Sequence, residues 1–527
     1  MTIVTNSMST DLLLVIFGLL LLIYLYFKYK FSYWKKRGFP FIQPTNIFGN
    51  FKEIILQQTA VGQHFQHMYN LGKGKPYIGF YAFGRPSLLL RDPDLIKLVL
   101  VKEFNVFYDR HVYSSKGTDP LGTSNLFMLK GPAWKYLRSK LNPAFTTFRM
   151  KQVCSLIEIC SNHVTDYLEK TSHLDKPIEV RELMGKYGTD VITSCAFGIE
   201  SNSLSDPNAE FRQFGRKIIE TSVFRSFEFM SMFVLPEASK FMNMKFFSTE
   251  TSDFLRKAFW DTVNQREEKN IQRDDFLQLL IQLKNKGRVD EEKNGLEAEK
   301  VNADNDTVDQ KLFKFEGDNL VAQAAIFFTA GFEAIATNGS FILYHLAMHP
   351  EVQEKARAEI HEVLESEKGK LTYEALNKME YLQMVISETL RLFPNLSVLD
   401  RVPKRDYVLP GTNLTLEKGT PVYIPLMGLH MDPNIYPNPE KFDPERFSPE
   451  NIKKRHPFTY LPFGDGPKFC VGKRFGIMAV KTGMISILQN FEVSPCAETP
   501  VPLVLDPKAM ILAPIGGIPL KFNRIKV

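Results

Sequence analysis

Near the C-terminal end, the stretch Phe463-Gly464-Asp465-Gly466-Pro467-Lys468-Phe469-Cys470-Val471-Gly472 sets one cysteine among glycines, a proline and a lysine. Glycine and proline force a tight loop, and the apolar run from Val471 to Leu488 predicts a helix starting just after the cysteine. A cysteine there meets the positive end of a helix dipole, with Lys468, Lys473 and Arg474 beside it. Each of these favours thiolate over thiol. One thiolate with no neighbouring cysteine excludes a four-thiolate zinc or iron–sulfur site, whereas haem iron needs only one axial ligand from the chain. A lone cysteine is by default a buried structural residue. The flanking cations and glycines argue for chemistry instead.

Other constellations lie upstream. Glu316 to Met348 predicts an unbroken helix of about 50 Å. Within it, Ala330-Gly331-Phe332-Glu333-Ala334 combines small residues, which admit a bulky partner, with a carboxylate that is costly among Phe327, Phe328 and Phe332 unless it has a task. Glu388-Thr-Leu-Arg391 puts an acid and a base on one helix face, with Phe442-Asp-Pro-Glu-Arg446-Phe447 downstream. Trp134 and Arg138 stand one turn apart, and Arg401 follows Phe393-Pro394. His345 and His349 have the i, i+4 spacing of a zinc pair, but no glutamate follows the first, so they read as core or helix-end histidines. His64 and His67 read the same way.

The cysteine loop resembles the haem-binding loop of the cytochrome P-450 (haem-thiolate monooxygenase) superfamily, Phe-x-x-Gly-x-Arg-x-Cys-x-Gly, at Phe463, Gly466, Cys470 and Gly472. Lys468 stands in the arginine position, keeping the charge but losing the bidentate fork. Residues 330–334 resemble the family's oxygen-binding groove, Ala/Gly-Gly-x-Asp/Glu-Thr, with Ala334 in place of the threonine. Alanine has no hydroxyl to relay protons, and Thr337, one turn on, is expected near the same face as a substitute. Glu388, Arg391 and Arg446 resemble the family's Glu-Arg-Arg network. Trp134, Arg138, Arg401 and Lys468 match positions that bind haem propionates. The matches run in family order over nearly the whole chain. Tyr33-Trp-Lys-Lys-Arg-Gly and Gly428-Leu-His430-x-Asp432-Pro433 are similar to the insect microsomal xenobiotic-metabolising branch.

The resemblance implies a mainly α fold with small β-sheets, holding haem b with Cys470 as axial ligand and taking O2 as co-substrate. The implied reaction inserts one oxygen atom into a small lipophile: a xenobiotic, plant toxin or insecticide, with endogenous lipids and hormones left open. Ala330, Gly331 and Glu333 would form the oxygen site. Electrons would come from an NADPH-dependent flavoprotein reductase, with cytochrome b5 as a further candidate donor. Lys135, Lys140, Lys468, Lys473 and Lys453-Lys454-Arg455 are candidate contacts for an acidic partner. Pocket candidates are the loop from Tyr113 to Leu126, Phe327, Ala330, Leu396 to Val398, and Met510 to Leu512. Because of Ala334, a peroxide-handling isomerase or dehydratase on the same scaffold is the alternative, and a haem-binding protein without turnover the other.

These groups must be positioned by a large, mostly helical body. The chain has 527 residues, 44% hydrophobic, with 43 phenylalanines, ample for one large core. A net charge of +6 is too mild to indicate nucleic acid. Five scattered cysteines offer no disulfide framework. Leu12 to Phe27 is an apolar run, and a span of roughly 12–33 suits a ~30 Å bilayer core. Lys28, Lys30, Lys35, Lys36 and Arg37 follow it, so it reads as an anchor (1–34) with the catalytic domain (35–527) on the cytosolic face of the endoplasmic reticulum. The glycosylation patterns at Asn305, Asn338, Asn395 and Asn413 are then expected to stay unmodified. Tyr77 to Arg91 predicts two short strands. Ser226 to Phe247, crowded with Phe and Met, reads equally as core or as a membrane-touching lid. The polar stretch 284–309 reads as a surface linker.

Overall fold

The computed structural model describes residues 8–113, 117–172, 176–220, 222–289 and 312–525. Helix α1 (Met8–Lys30) is long and apolar enough to cross a membrane, and its 10–30 window is unburied. It ends three residues short of the expected 33, where the Ser32 hydroxyl donates to the Tyr29 carbonyl at 2.6 Å. Such local side-chain bonds compete with helix continuation. Trp34 follows in a short helix and is fully buried. Most of the linker expectation, 290–309, lies outside the described residues.

Two clusters form the core. One surrounds a small sheet: β1 (Tyr77–Ala82) and β2 (Arg85–Leu90) make the expected hairpin, then β3 (Val398–Arg401) and β4 (Val422–Pro425) complete the order β1-β2-β4-β3. β2 runs parallel to β4 with Leu88 opposite Val422, and β3 runs antiparallel to β4 with Arg401 opposite Val422. Phe51, Phe65, Phe80, Leu89 and Ile424 fill this cluster.

The larger cluster is helical. α2 (Gly131–Leu141), α3 (Val180–Ala196), α4 (Asp318–Met348), α5 (Glu380–Leu392) and α6 (Lys473–Leu488) are its main parts. α4 starts two residues later than the sequence predicts and packs most extensively on α3. Gly331 makes that approach possible, because a Cβ there would lie 2.4 Å from the Ile192 side chain. The first turn of α3 is capped by Glu179, whose carboxylate accepts from the Arg181 and Glu182 backbone N–H groups at 3.1 and 2.6 Å. This cap fixes where Arg181 emerges.

The Phe- and Met-rich stretch folds into two helices, Val223–Val234 and Pro236–Phe241. Part of it packs in the core. Phe229 and Met232 are buried, whereas Phe224, Phe227 and Phe241 are exposed.

Candidate active site

The cysteine loop is closed by its own backbone. The Cys470 N–H donates to the Phe463 carbonyl at 2.8 Å, and the Phe469 N–H to Gly466 at 3.0 Å. Gly466 has φ +69°, and a Cβ on it would lie 2.0 Å from the Leu100 carbonyl oxygen. α6 begins at Lys473 with Gly472 as its N-cap, so the cysteine precedes the first turn. Burial pushes the Cys470 pKa above the ordinary value and outweighs the Gly472 N–H, Arg138, Arg110 and Lys473, which pull it down. A coordinated metal ion would favour the thiolate further.

Cys470 opens into an internal cavity of about 400 Å³, within the usual range of small-molecule sites. The cavity brings together Trp134, Arg138, Phe327, Ala330, Gly331, Glu333, Leu396, Arg401, Phe463, Lys468 and Met510, all expected from sequence. The expected ranges are met in part: Met510 and Ile511 line the wall and Leu512 does not, Leu396 lines it and Val398 does not while Leu399 joins, and of the loop from Tyr113 to Leu126 only Leu126 lines it among the described residues. Side chains alternate across β3, which turns Leu399 and Arg401 to the same face and Val398 away. Leu512 is packed in the core at 4% exposure. Phe145 and Phe276 join Phe327 on the aromatic side, with ring centroids 5.5 and 4.2 Å from it.

One rim of the cavity is crowded with buried cations. Arg110 donates to the Phe127 carbonyl at 2.8 Å, and Arg138 to that of Phe469 at 3.1 Å. Arg401 Nε and Lys468 Nζ are buried without a hydrogen-bond partner among the described residues. Burial, then the repulsion of Arg110 and Arg401, pushes Lys468 down to about 6. Burial likewise pulls Arg401 down to about 10, with Arg110 adding to it. Unpaired buried cations are costly, and two carboxylates set among them would relieve both orphans. The propionates of a porphyrin are such a pair, and the apolar walls suit its ring, so these residues fit haem. The same burial removes Lys468 from the docking candidates, since its Nζ stands 4.0 Å from the Trp134 ring centroid. Lys135, Lys453, Lys454 and Lys473 are exposed.

Across the cavity, Glu333 is 1% exposed and forms an ion pair with Arg181. Burial lowers the Arg181 pKa, but Glu333, Glu179 and Asp506 together raise it above its ordinary value. The Thr337 hydroxyl donates to Glu333 Oε1 at 3.2 Å, while Oε2 has no partner among the described residues. Thr337 is wholly buried and committed to Glu333; the residue that reaches the cavity one position later is Asn338.

On α5, Arg391 grips Glu388 at 2.7 and 2.8 Å and donates to the carbonyls of His430 and Pro439 at 2.8 Å. Arg446 Nε lies 3.4 Å from Glu388, and the Asp443 N–H donates to it at 2.9 Å. The three residues therefore meet as the sequence predicts. His345 stacks on Phe442 at 4.2 Å, and no group of metal ligands is present among the described residues.

A thiol at the base of an apolar slot, with cations waiting at its edge, is the outline of a haem-thiolate oxygenase. The family model described as Cytochrome P450 matches residues 40–522, and the chain belongs to the cytochrome P450 family. It is 52% identical to cytochrome P450 6k1 of Blattella germanica over 522 residues, covering 99% of this chain and 98% of that one. It is 38% identical to a probable cytochrome P450 6g2 of Drosophila melanogaster, covering 98% and 99%. Cytochrome P450 9e2 of Blattella germanica is also 38% identical, at 95% coverage of each. The protein is thus a monooxygenase that binds haem b, uses O2, takes electrons from a reductase and acts on lipophilic substrates. The isomerase and non-catalytic alternatives are not favoured by this kinship. The N-terminal apolar helix is consistent with a membrane anchor.

Proposed function

We propose that this chain oxidises small lipophilic xenobiotics at the cytosolic face of the endoplasmic reticulum, using the cavity that Cys470 lines. The convergence of Cys470, the orphaned rim cations and Glu333 on that one apolar cavity carries the reading. Haem b, when bound, supplies the iron at which O2 is activated. Cys470 would ligate it, and Trp134, Arg138, Arg401 and Lys468, joined by Arg110, would hold the propionates. Glu333, fixed by Arg181 and Thr337, would pass protons towards the oxygen site formed by Ala330 and Gly331. Phe327, Leu396 and Met510, with Leu399 and Ile511, would orient the substrate and exclude bulk water.

The anchor would comprise residues 1–34 and the catalytic domain 35–527. The lysines that follow α1 support the cytosolic orientation. Cytochrome b5 is the second electron donor proposed, docking with the reductase's acidic surface on Lys135, Lys453, Lys454 and Lys473. The test is spectroscopic and then catalytic. The reduced holoprotein with carbon monoxide is expected to show the red-shifted Soret band of thiolate coordination, and Cys470→Ser to lose it. With reductase and NADPH, a panel of lipophiles should yield hydroxylated products. Equal turnover with peroxide alone and none with NADPH would overturn the monooxygenase reading.

A further inference from the structure

Ala334 leaves the relay position without a hydroxyl, yet the cavity wall beside it is not inert. Ala330, Ala334 and Asn338 follow one another at i, i+4 spacing on α4 and all border the cavity. Ala330 is open to that space and Ala334 partly so. Asn338, one turn beyond Ala334, is only 6% exposed, and its Oδ1 is buried without a hydrogen-bond partner among the described residues. Glu333 Oε2, bordering the same cavity, is orphaned too. An unpaired buried amide oxygen is costly, and because Asn338 borders the cavity, a group within it is the available partner. Buried water needs two to four polar partners, and Asn338 Oδ1 and Glu333 Oε2 are two unpaired acceptors on residues that border the cavity.

We infer that Asn338 is a positioning residue that holds an ordered water in front of Ala334, linking Glu333 to the oxygen site in place of the absent threonine hydroxyl. The proposal rests on the monooxygenase reading. The reaction it serves consumes one substrate C–H, one O2, two electrons from the reductase and two protons, and yields the alcohol and water. The protons enter from solvent past Glu333. If their delivery fails, the same two electrons and two protons leave with O2 as hydrogen peroxide. Asn338 changes no bond itself; it orients the water that hands the proton on. The Asn338-Gly-Ser340 sequence also matches a glycosylation pattern, but a 6%-exposed side chain inside α4 cannot accept a glycan.

The test uses the full-length holoenzyme with its reductase. Asn338→Leu, close in shape but without polar atoms, is expected to lower NADPH-to-product coupling roughly tenfold, less than the ~10²–10⁴ loss of a direct proton donor. The solvent deuterium isotope effect on NADPH consumption should change as well, and peroxide should rise. Ala334→Thr should raise coupling modestly in the native background and much more in Asn338→Leu, because the hydroxyl then replaces the lost water site. A crystal structure of the native holoenzyme should show a water on the Asn338 amide that Asn338→Leu lacks. Asn338→Val serves if the leucine does not fold. Unchanged coupling in a variant that retains the red-shifted carbon monoxide band, or an equal gain from Ala334→Thr in both backgrounds, would overturn the proposal. Loss of that band in the native protein would instead strike the reading beneath it.

Discussion

Replacing Arg181 with methionine isolates the buried pair that holds Glu333. The carboxylate is 1% exposed and its partner 22%, so the two halves of the pair stand in different surroundings. Removing the arginine strands a buried charge, and breaking a buried pair this way costs about 3–5 kcal/mol. The partly exposed guanidinium places the expected cost near the lower end, about 3 kcal/mol. Removing the carboxylate instead, with Glu333→Leu, leaves Arg181 beside Glu179 and Asp506 and partly in water, so about 1 kcal/mol is expected, the Thr337 hydrogen bond included. The double variant Arg181→Met/Glu333→Leu should recover most of the loss, because an apolar pair of similar volume is tolerated in such sites. Smaller domains shift Tm by a few degrees per kcal/mol and larger ones by less, so Arg181→Met should fall by roughly 3–6 °C. Thermal loss of the Soret band and of far-ultraviolet dichroism, at one fixed scan rate, measures all four proteins. Additive losses in the double variant, or a larger loss from Glu333→Leu than from Arg181→Met, would refute the account.

Gly466→Ala should sharply reduce the yield of carbon monoxide-binding protein, since its Cβ would strike the Leu100 carbonyl at 2.0 Å. Gly464→Ala, equally left-handed at φ +66° but with its nearest neighbour 3.9 Å away, should cost only about 1 kcal/mol of backbone strain and keep the haem. The acid stability of the fold should carry a histidine signature. Burial, then His349 and Arg391, pushes His345 down to about 3, so the unfolded chain binds its proton first as pH falls below about 6.5. Stability from this group is therefore present above that pH and declines towards pH 3, by up to about 1.4 kcal/mol per unit. His345→Phe, which keeps the stack on Phe442 and forfeits no hydrogen bond among the described residues, should flatten denaturant-unfolding stability between pH 6 and 4; an unchanged slope would count against it.

Much of this site is readable in the chain because its chemistry is local. The cysteine loop, the long helix with its buried acid, and the Glu388–Arg391 turn each lie within a few consecutive residues. What the chain conceals is chemistry assembled across distance. Arg181 meets Glu333 across 152 positions, and neither residue's neighbours announce the other. Arg110 joins the cation rim from a segment with no motif of its own. Register is the second blind spot. Leu399 rather than Val398 faces the cavity, and Leu512 does not reach it, because strand and loop phase is set by packing, not by composition. The choice between Thr337 and Asn338 was the same question on a helix. Thr337 lies four residues after Glu333 and bonds it; Asn338 lies four after Ala334 and inherits its view.

Trp34 ties the end of the apolar N-terminal segment to the sheet. Its indole N–H donates to the Phe80 carbonyl at 3.1 Å and its backbone N–H to the Tyr81 hydroxyl at 3.0 Å, which in turn donates to the Phe31 carbonyl at 2.8 Å. With so short a tether, the body has little room to swivel relative to α1. A shortened protein made for crystallisation should therefore begin no later than Phe31, or it loses the peg that closes the first sheet as well as the greasy tail it meant to discard.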